Sequence, residues 1–327
     1  MSARTFKLDR FALYAWIVLL YNLVVILWGT FVRATSSGAG CGEHWPLCNG
    51  EIVPVAPQLA TIIEFAHRTT SGISLVLVAL LVIWAFRRYP KGHPVRFGAT
   101  GSGIFIITEA LVGAGLVLFG WVNQDQSVYR VVSISVHLVN TFLLLSMMTL
   151  TAWWASGGAP VRVRGQGAYR WALAIALLGV GIIGMTGAIT ALGDTLFPSG
   201  SLIEGLQQDS SPTASFLIRL RVIHPVIAVI VASYLLLLLG WLNERAIAAR
   251  AGRFEWLVRA LVVIQVAAGA INVILLAPIW MQLVHLLLAD LVWIMLVLYS
   301  ASLLNADLAT ATGRKVEKQG PVGATAE

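Results

Sequence analysis

Four of the six histidines, His67, His137, His224 and His285, each fall a few residues into a long apolar segment, and they occupy every second such segment. An imidazole in hydrocarbon must find a partner, because an unpaired polar group there costs several kcal/mol. A metal is one partner; a Ser, Asn or carbonyl of a neighbouring helix is another. Glu64 precedes His67 by three residues, so on a helix the two share a face one turn apart. A carboxylate beside a metal site near a bilayer edge suggests chemistry, although an ion pair with Arg68 at i+4 or a cap on the first turn would also account for Glu64.

The elements that must position these residues follow from composition. The chain has 327 residues, 58% hydrophobic and 11% charged, with mean hydropathy +0.83, so it is a polytopic membrane protein. Apolar runs of about 20 residues predict eight helical spans, roughly 12–33, 61–86, 99–120, 130–154, 170–192, 215–242, 255–276 and 282–304. Helices are the form that satisfies such backbones in lipid. The first run is too long for a signal-peptide core and lacks a small-residue cleavage site, so it is expected to remain as a helix.

Basic residues set the expected orientation. Arg4, Lys7 and Arg10, then Arg87, Arg88, Lys91 and Arg96, then Arg162, Arg164 and Arg170, then Arg245, Arg250, Arg253 and Arg259, and finally Arg314, Lys315 and Lys318 lie in or flank alternate connections and both tails. Both termini are therefore expected in the cytoplasm. The net charge of +7 then records topology, and no nucleic-acid partner is expected. Arg33, Arg68, Arg130, Arg219 and Arg221 sit instead at the outer ends of spans.

The halves also match in order. Trp28-Gly-Thr-Phe-Val-Arg-Ala-Thr35 aligns with Ile183-Gly-Met-Thr-Gly-Ala-Ile-Thr190, and Glu109-Ala-Leu-Val-Gly-Ala114 with Gln265-Val-Ala-Ala-Gly-Ala270, so His67 pairs with His224 and His137 with His285. Four spans per half, an even number, make a parallel repeat about an axis along the membrane normal. The expected fold is all-α, two pseudo-twofold-related four-helix bundles: residues 1–160, residues 161–305, and a polar cytoplasmic tail over 306–327. The even spans all run inward, which puts each histidine roughly 5–15 Å below the outer surface. Two imidazoles at like depth on different helices of one bundle suit a planar heme clamped between them. Zinc fits less well, since two ligands per half fall short of the usual three or four.

The halves differ where chemistry would sit. Glu64-Phe-Ala-His67-Arg68 opens the second span, whereas Arg221-Val-Ile-His224-Pro225 stands at the matching place. The first outer connection carries both cysteines, Cys41 and Cys48; on an oxidising side they are expected to pair, as a staple or as an exchangeable redox couple. Arg33, Arg68, Arg219 and Arg221 could contact heme propionates or snorkel to lipid phosphates. His44, in that loop, is a weak ligand candidate, and His93, in a cytoplasmic Lys-Gly-His-Pro turn, reads as solvated. Glu109 and Asp290 are intramembrane carboxylates, each a candidate to support a metal-ligating group or to carry protons; Glu109 aligns with neutral Gln265, which favours a bundle-facing hydrogen bond. Gly181, Gly184 and Gly187 read as close helix packing.

With these residues assembled, the chain resembles the heme A synthases, membrane enzymes that oxidise heme O to heme A for aa3-type terminal oxidases. The resemblance rests on the loop from Val32-Arg-Ala-Thr35 to Cys48-Asn-Gly50 with its Trp45-Pro-Leu-Cys48 core, and on the two motifs around His67 and His224. It implies that His67 and His137 bind the substrate heme O and His224 and His285 the iron of a resident heme b. It also implies that Glu64 is catalytic, that Cys41 and Cys48 form a disulfide over the substrate site, and that a porphyrin methyl becomes a formyl group by two oxidations. It implies a bacterial-type cell membrane, heme sites near the outer face, and a heme O synthase upstream. A second cysteine pair, carried by some members in the third outer connection, is missing from residues 193–214. The electron acceptor is left unknown, and the oligomeric state, including a homo-oligomer, is left open. Two other functions compete: a b-type di-heme electron-transfer cytochrome, disfavoured because all four histidines lie near one face, and a proton-coupled transporter with histidine relays.

Overall fold

In the computed structural model, which describes residues 7–243 and 252–304, eight helices are long and apolar enough to cross a membrane. Arg4, Arg245, Arg250, Arg314, Lys315, Lys318 and the tail over 306–327 lie outside the described residues. Among the described residues the regular structure is helical, apart from an isolated bridge between Cys48 and Glu51.

The first half holds α1 (Arg10–Ala34), α2 (Leu59–Arg88), α3 (Pro94–Leu118) and α4 (Val128–Ala155). Local chemistry fixes their starts. The Asp9 carboxylate accepts from the N–H groups of Phe11 and Ala12, and Ser127 Oγ accepts from Arg130 N at the head of α4. The third span opens about five residues earlier than its apolar run, because Pro94 occupies the first turn and the His93 ring accepts from Val95 N. His93 is thus half-buried and stacked on Tyr89, with ring centroids 4.5 Å apart, rather than simply solvated. Burial lowers its pKa below the ordinary imidazole value.

The second half holds α5 (Ala168–Leu196), a short α6 (Leu202–Ser210), α7 (Phe216–Arg221), α8 (Ile223–Asn243), α9 (Gly252–Ile274) and α10 (Ile279–Leu303). Helix α6 lies in the connection between α5 and α7 and was not expected. The sixth span, expected as one helix, is divided at Val222. Pro225 explains the division: it has no N–H to return to the carbonyl of Arg221, and Thr190 Oγ1 donates to that oxygen instead, at 3.4 Å.

Within each half the spans pack as a closed set of four: α1 against α2 and α4 with α3 between, and α5 against α8 and α10 with α9 between. The halves meet through α1, α4, α5 and α10, and one core runs across them, including Leu144, Leu145 and Met148 of α4 with Leu296 and Tyr299 of α10. The Trp293 indole stacks on Phe142 across this seam and donates to Phe142 O and Ser146 Oγ.

Candidate functional site

Each of the four histidines is seated on a glycine of the preceding span. A Cβ at Gly29 would stand 2.9 Å from Cε1 of His67, at Gly113 3.9 Å from Cε1 of His137, at Gly187 3.0 Å from Cε1 of His224, and at Gly269 3.0 Å from Cε1 of His285. The missing side chain lets the neighbouring backbone approach the ring. These contacts correct the alignment of α1 with α5 by about one turn: Gly187 stands opposite Gly29, whereas Gly184 packs on Leu138 and Phe142 of α4. Sequence reading gave these glycines no role beyond packing; their recurrence one span before each histidine was the available signal.

The rings have nitrogens that no protein group takes. Nδ1 of His67, His137 and His285 is buried with no hydrogen-bond partner, and His224 uses Nδ1 towards Thr186 Oγ1 at 3.1 Å. His67 and His137 lie within electrostatic reach of one another, as do His224 and His285. Among the described residues no three His, Cys, Asp or Glu side chains are grouped to hold a bare metal ion. Paired imidazoles with orphaned nitrogens fit instead a metal that brings its own equatorial donors, as heme iron does.

Around His67 the site is capped by the cysteine loop. Glu64 is buried, 3% exposed; its Oε2 accepts from Cys41 N at 2.8 Å and its Oε1 from Arg68 Nη2 at 2.6 Å. Arg68 extends the clamp, donating to the carbonyls of His44 and Leu47. Gly40 presses on the start of α2, where a Cβ would come within 2.5 Å of the Ala60 carbonyl, and Gly40 O accepts from Thr61 Oγ1 at 2.8 Å. Cys41 and Cys48 are joined in a disulfide and both are buried. The i+4 ion pair and the carboxylate in the site therefore coexist: Glu64 holds the loop and stands one turn from His67. The His44 and Trp45 side chains are exposed.

The matching position in the second half carries the opposite charge. Arg221 gives Nε to Asp209 Oδ1 at 2.6 Å, and its remaining N–H groups reach Asp194 Oδ1, Phe197 O, Gly205 O and Gln208 Oε1 at 3.3–3.4 Å. All five donors are engaged, and they fasten the connection between α5 and α7. Arg33 leaves its own bundle, donating to Ala191 O, Thr195 Oγ1 and Gln282 Oε1 at 2.6, 2.7 and 2.9 Å. Arg219 donates to Pro212 O. Arg33 and Arg68 keep one or more N–H groups free of protein acceptors, as Arg219 does.

The intramembrane carboxylates separate. Glu109 faces the bundle, bonded by Asn140 and Thr141 and 3.6 Å from Nδ1 of His137. Asp290 is fully buried in α10 with neither oxygen hydrogen-bonded.

Residues 12–297 match the model of a family described as cytochrome oxidase assembly protein, COX15-CtaA. Among curated relatives, a Thermus thermophilus protein named protoheme IX farnesyltransferase is 52% identical over 301 residues, 91% of this chain and 49% of that protein. A protein named heme A synthase from Shouchella clausii is 46% identical over 98 residues, 30% of this chain and 33% of that one. Another of that name from Halalkalibacterium halodurans is 37% identical over 125 residues, 38% and 42% of the respective chains. The chain thus spans about half the length of the Thermus relative, and less than half of each heme A synthase is aligned.

Proposed function

The chain belongs to the cytochrome oxidase assembly protein family COX15-CtaA, and from that premise we propose that it is a heme A synthase. In this reading heme O is the substrate, held through His67 and His137, and heme A is the product. A resident heme b is held through His224 and His285. Bound heme supplies redox-active iron to each pair of imidazoles. The two halves are related by an axis along the membrane normal, both termini are cytoplasmic and both sites lie near the outer face of a bacterial-type cell membrane.

The porphyrin methyl is oxidised twice, each time giving two electrons to an external acceptor and gaining one oxygen, and the resulting gem-diol loses water to leave the formyl group. Glu64 is the catalytic residue, placed to hold or move a proton at its carboxylate as the methyl carbon loses electrons. Its bonds to Cys41 N and Arg68 keep the disulfide loop closed over the substrate and exclude water. Propionate contacts fall to Arg33, Arg68 and Arg219, whose free N–H groups can still meet a carboxylate. Arg221, with all five donors engaged, holds the lid of the heme b site.

The reading is carried by one observation. Four imidazoles on four glycine seats recur through both halves, yet a buried carboxylate one turn from a histidine marks only the His67 site. The Thermus relative is named for farnesyl transfer to protoheme, the reaction class that makes heme O, which supports a heme O synthase as the supplier of substrate.

The test is pigment extraction from cells with and without a heme O supply, each with and without this chain. Heme A should appear only where chain and heme O are both present; its absence there overturns the proposal. In the same cells Glu64→Gln should leave heme O unconverted, and wild-type levels of heme A would remove Glu64 from catalysis.

A further inference from the structure

Glu109 stands beside the imidazole that the second half leaves without a charged neighbour. Its Oε2 accepts from Asn140 Nδ2 at 2.5 Å, and its Oε1 accepts from Thr141 Oγ1 and lies 3.6 Å from Nδ1 of His137. That Nδ1 is buried and has no hydrogen-bond partner. Asn140 is itself fixed, donating to Phe105 O at 2.9 Å and accepting from Thr108 Oγ1 at 2.6 Å. The carboxylate is therefore aimed at the back of the ring by a network that needs no ligand. Gly113, one turn along α3, seats the same ring.

The second half keeps the seat and drops the charge. Gln265 occupies the Glu109 position in sequence, its Nε2 3.4 Å from Nε2 of His285, while Nδ1 of that ring has no partner. Leu288 and Ala289, three and four residues after His285, stand where Asn140 and Thr141 follow His137. No hydroxyl or amide clamps a carboxylate there.

We propose that Glu109 is a positioning residue that makes the His67–His137 site hold its iron in the oxidised state more strongly than the His224–His285 site does. This rests on the heme reading above. A carboxylate behind a ligating imidazole orients the ring, makes it a stronger electron donor and places a negative charge near the metal, each of which favours the higher oxidation state. The neutral amide of Gln265, which meets the other ring nitrogen, supplies no such charge. Two sites alike in their ligands would then differ in potential.

The experiment is a potentiometric titration of the purified full chain with its bound hemes, read by optical spectroscopy. Glu109→Gln should raise one transition, and Gln265→Glu should lower the other. Each should change the oxidised-to-reduced ratio at fixed potential at least tenfold, about 59 mV for a one-electron couple. Transitions unmoved in both pigmented variants overturn the proposal and leave the heme reading standing. Wild-type protein that binds no heme overturns both. Should Glu109→Gln lose its pigment, Gln265→Glu decides alone: a downward shift supports the proposal and none overturns it.

Discussion

The imidazole seats make the sharpest demand on single residues. Gly29→Ala would put a Cβ 2.9 Å from Cε1 of His67, closer than real Cβ contacts run, so the ring must move. Purified Gly29→Ala should lose pigment from one site, and Gly187→Ala, at 3.0 Å from His224, from the other. Gly72→Ala meets nothing within 4 Å and serves as the control. All three changes favour the helix by about 1 kcal/mol, so pigment loss at the first two would report on the ring and not on a weakened helix. Full wild-type absorbance in Gly29→Ala would show that the seat does not fix the imidazole. The Glu64–Arg221 exchange belongs to this scale too: one position, three residues before its histidine in each half, carries a carboxylate in one bundle and a guanidinium in the other, and each fastens a connecting segment.

Helices bring their own predictions, from their ends and breaks. Asp9 caps α1 and pairs with Arg88 Nη2 at 2.8 Å. Burial raises its carboxyl pKa, but the Ala12 and Phe11 N–H groups and the Arg88 charge outweigh that and hold it below the ordinary value. A folded pKa below the unfolded one means the contribution is complete above the ordinary carboxylate pKa, about 4, and fades as pH falls through the folded value. Asp9→Ala should cost about 1 kcal/mol at neutral pH, nearly all from the cap because exposed ion pairs add little. Melting of mutant and wild type should converge in acid; a gap that widens there would contradict the assignment. At the other break, Pro225→Ala returns an N–H able to bond Arg221 O and should join α7 to α8. Because His224 sits beside the break, the spectrum of one heme should change while the other keeps its bands.

At the scale of the whole molecule, two bundles are held as one body by a few polar ties across an apolar seam. Arg33 links α1 to α5 and α10, and Trp293 links α10 to α4. Replacing Arg33 with Leu leaves Gln282 and two α5 oxygens without that donor, and hydrogen bonds to charged groups contribute about 1.5–3 kcal/mol. Arg33→Leu should therefore lower the thermal midpoint, and unfolding should separate into two steps, one per bundle, in calorimetry or in pigment release. A single transition at the wild-type temperature would show that the apolar seam alone holds the halves.

What the amino-acid order determined by itself is what neighbours along the chain can encode. Eight spans follow from apolar length, and their ends agree with the structure to within about five residues. Glu64, His67 and Arg68 share a helix, so their ion pair and facing were legible from spacing, and two cysteines in one loop left one internal pairing. The short helix α6 was not legible, since nine residues with a thin apolar stripe resemble a loop. Nor was the register between helices: sequence aligned Gly29 with Gly184, and the imidazoles chose Gly187. The partners of Arg33, Arg221 and Glu109 were equally hidden, because each is 12 to 249 residues away in the chain. In an apolar medium most faces of a helix are hydrophobic, so composition does not say which side meets a neighbour. Only the packed bundle, where small residues admit rings and buried donors find acceptors, decides that.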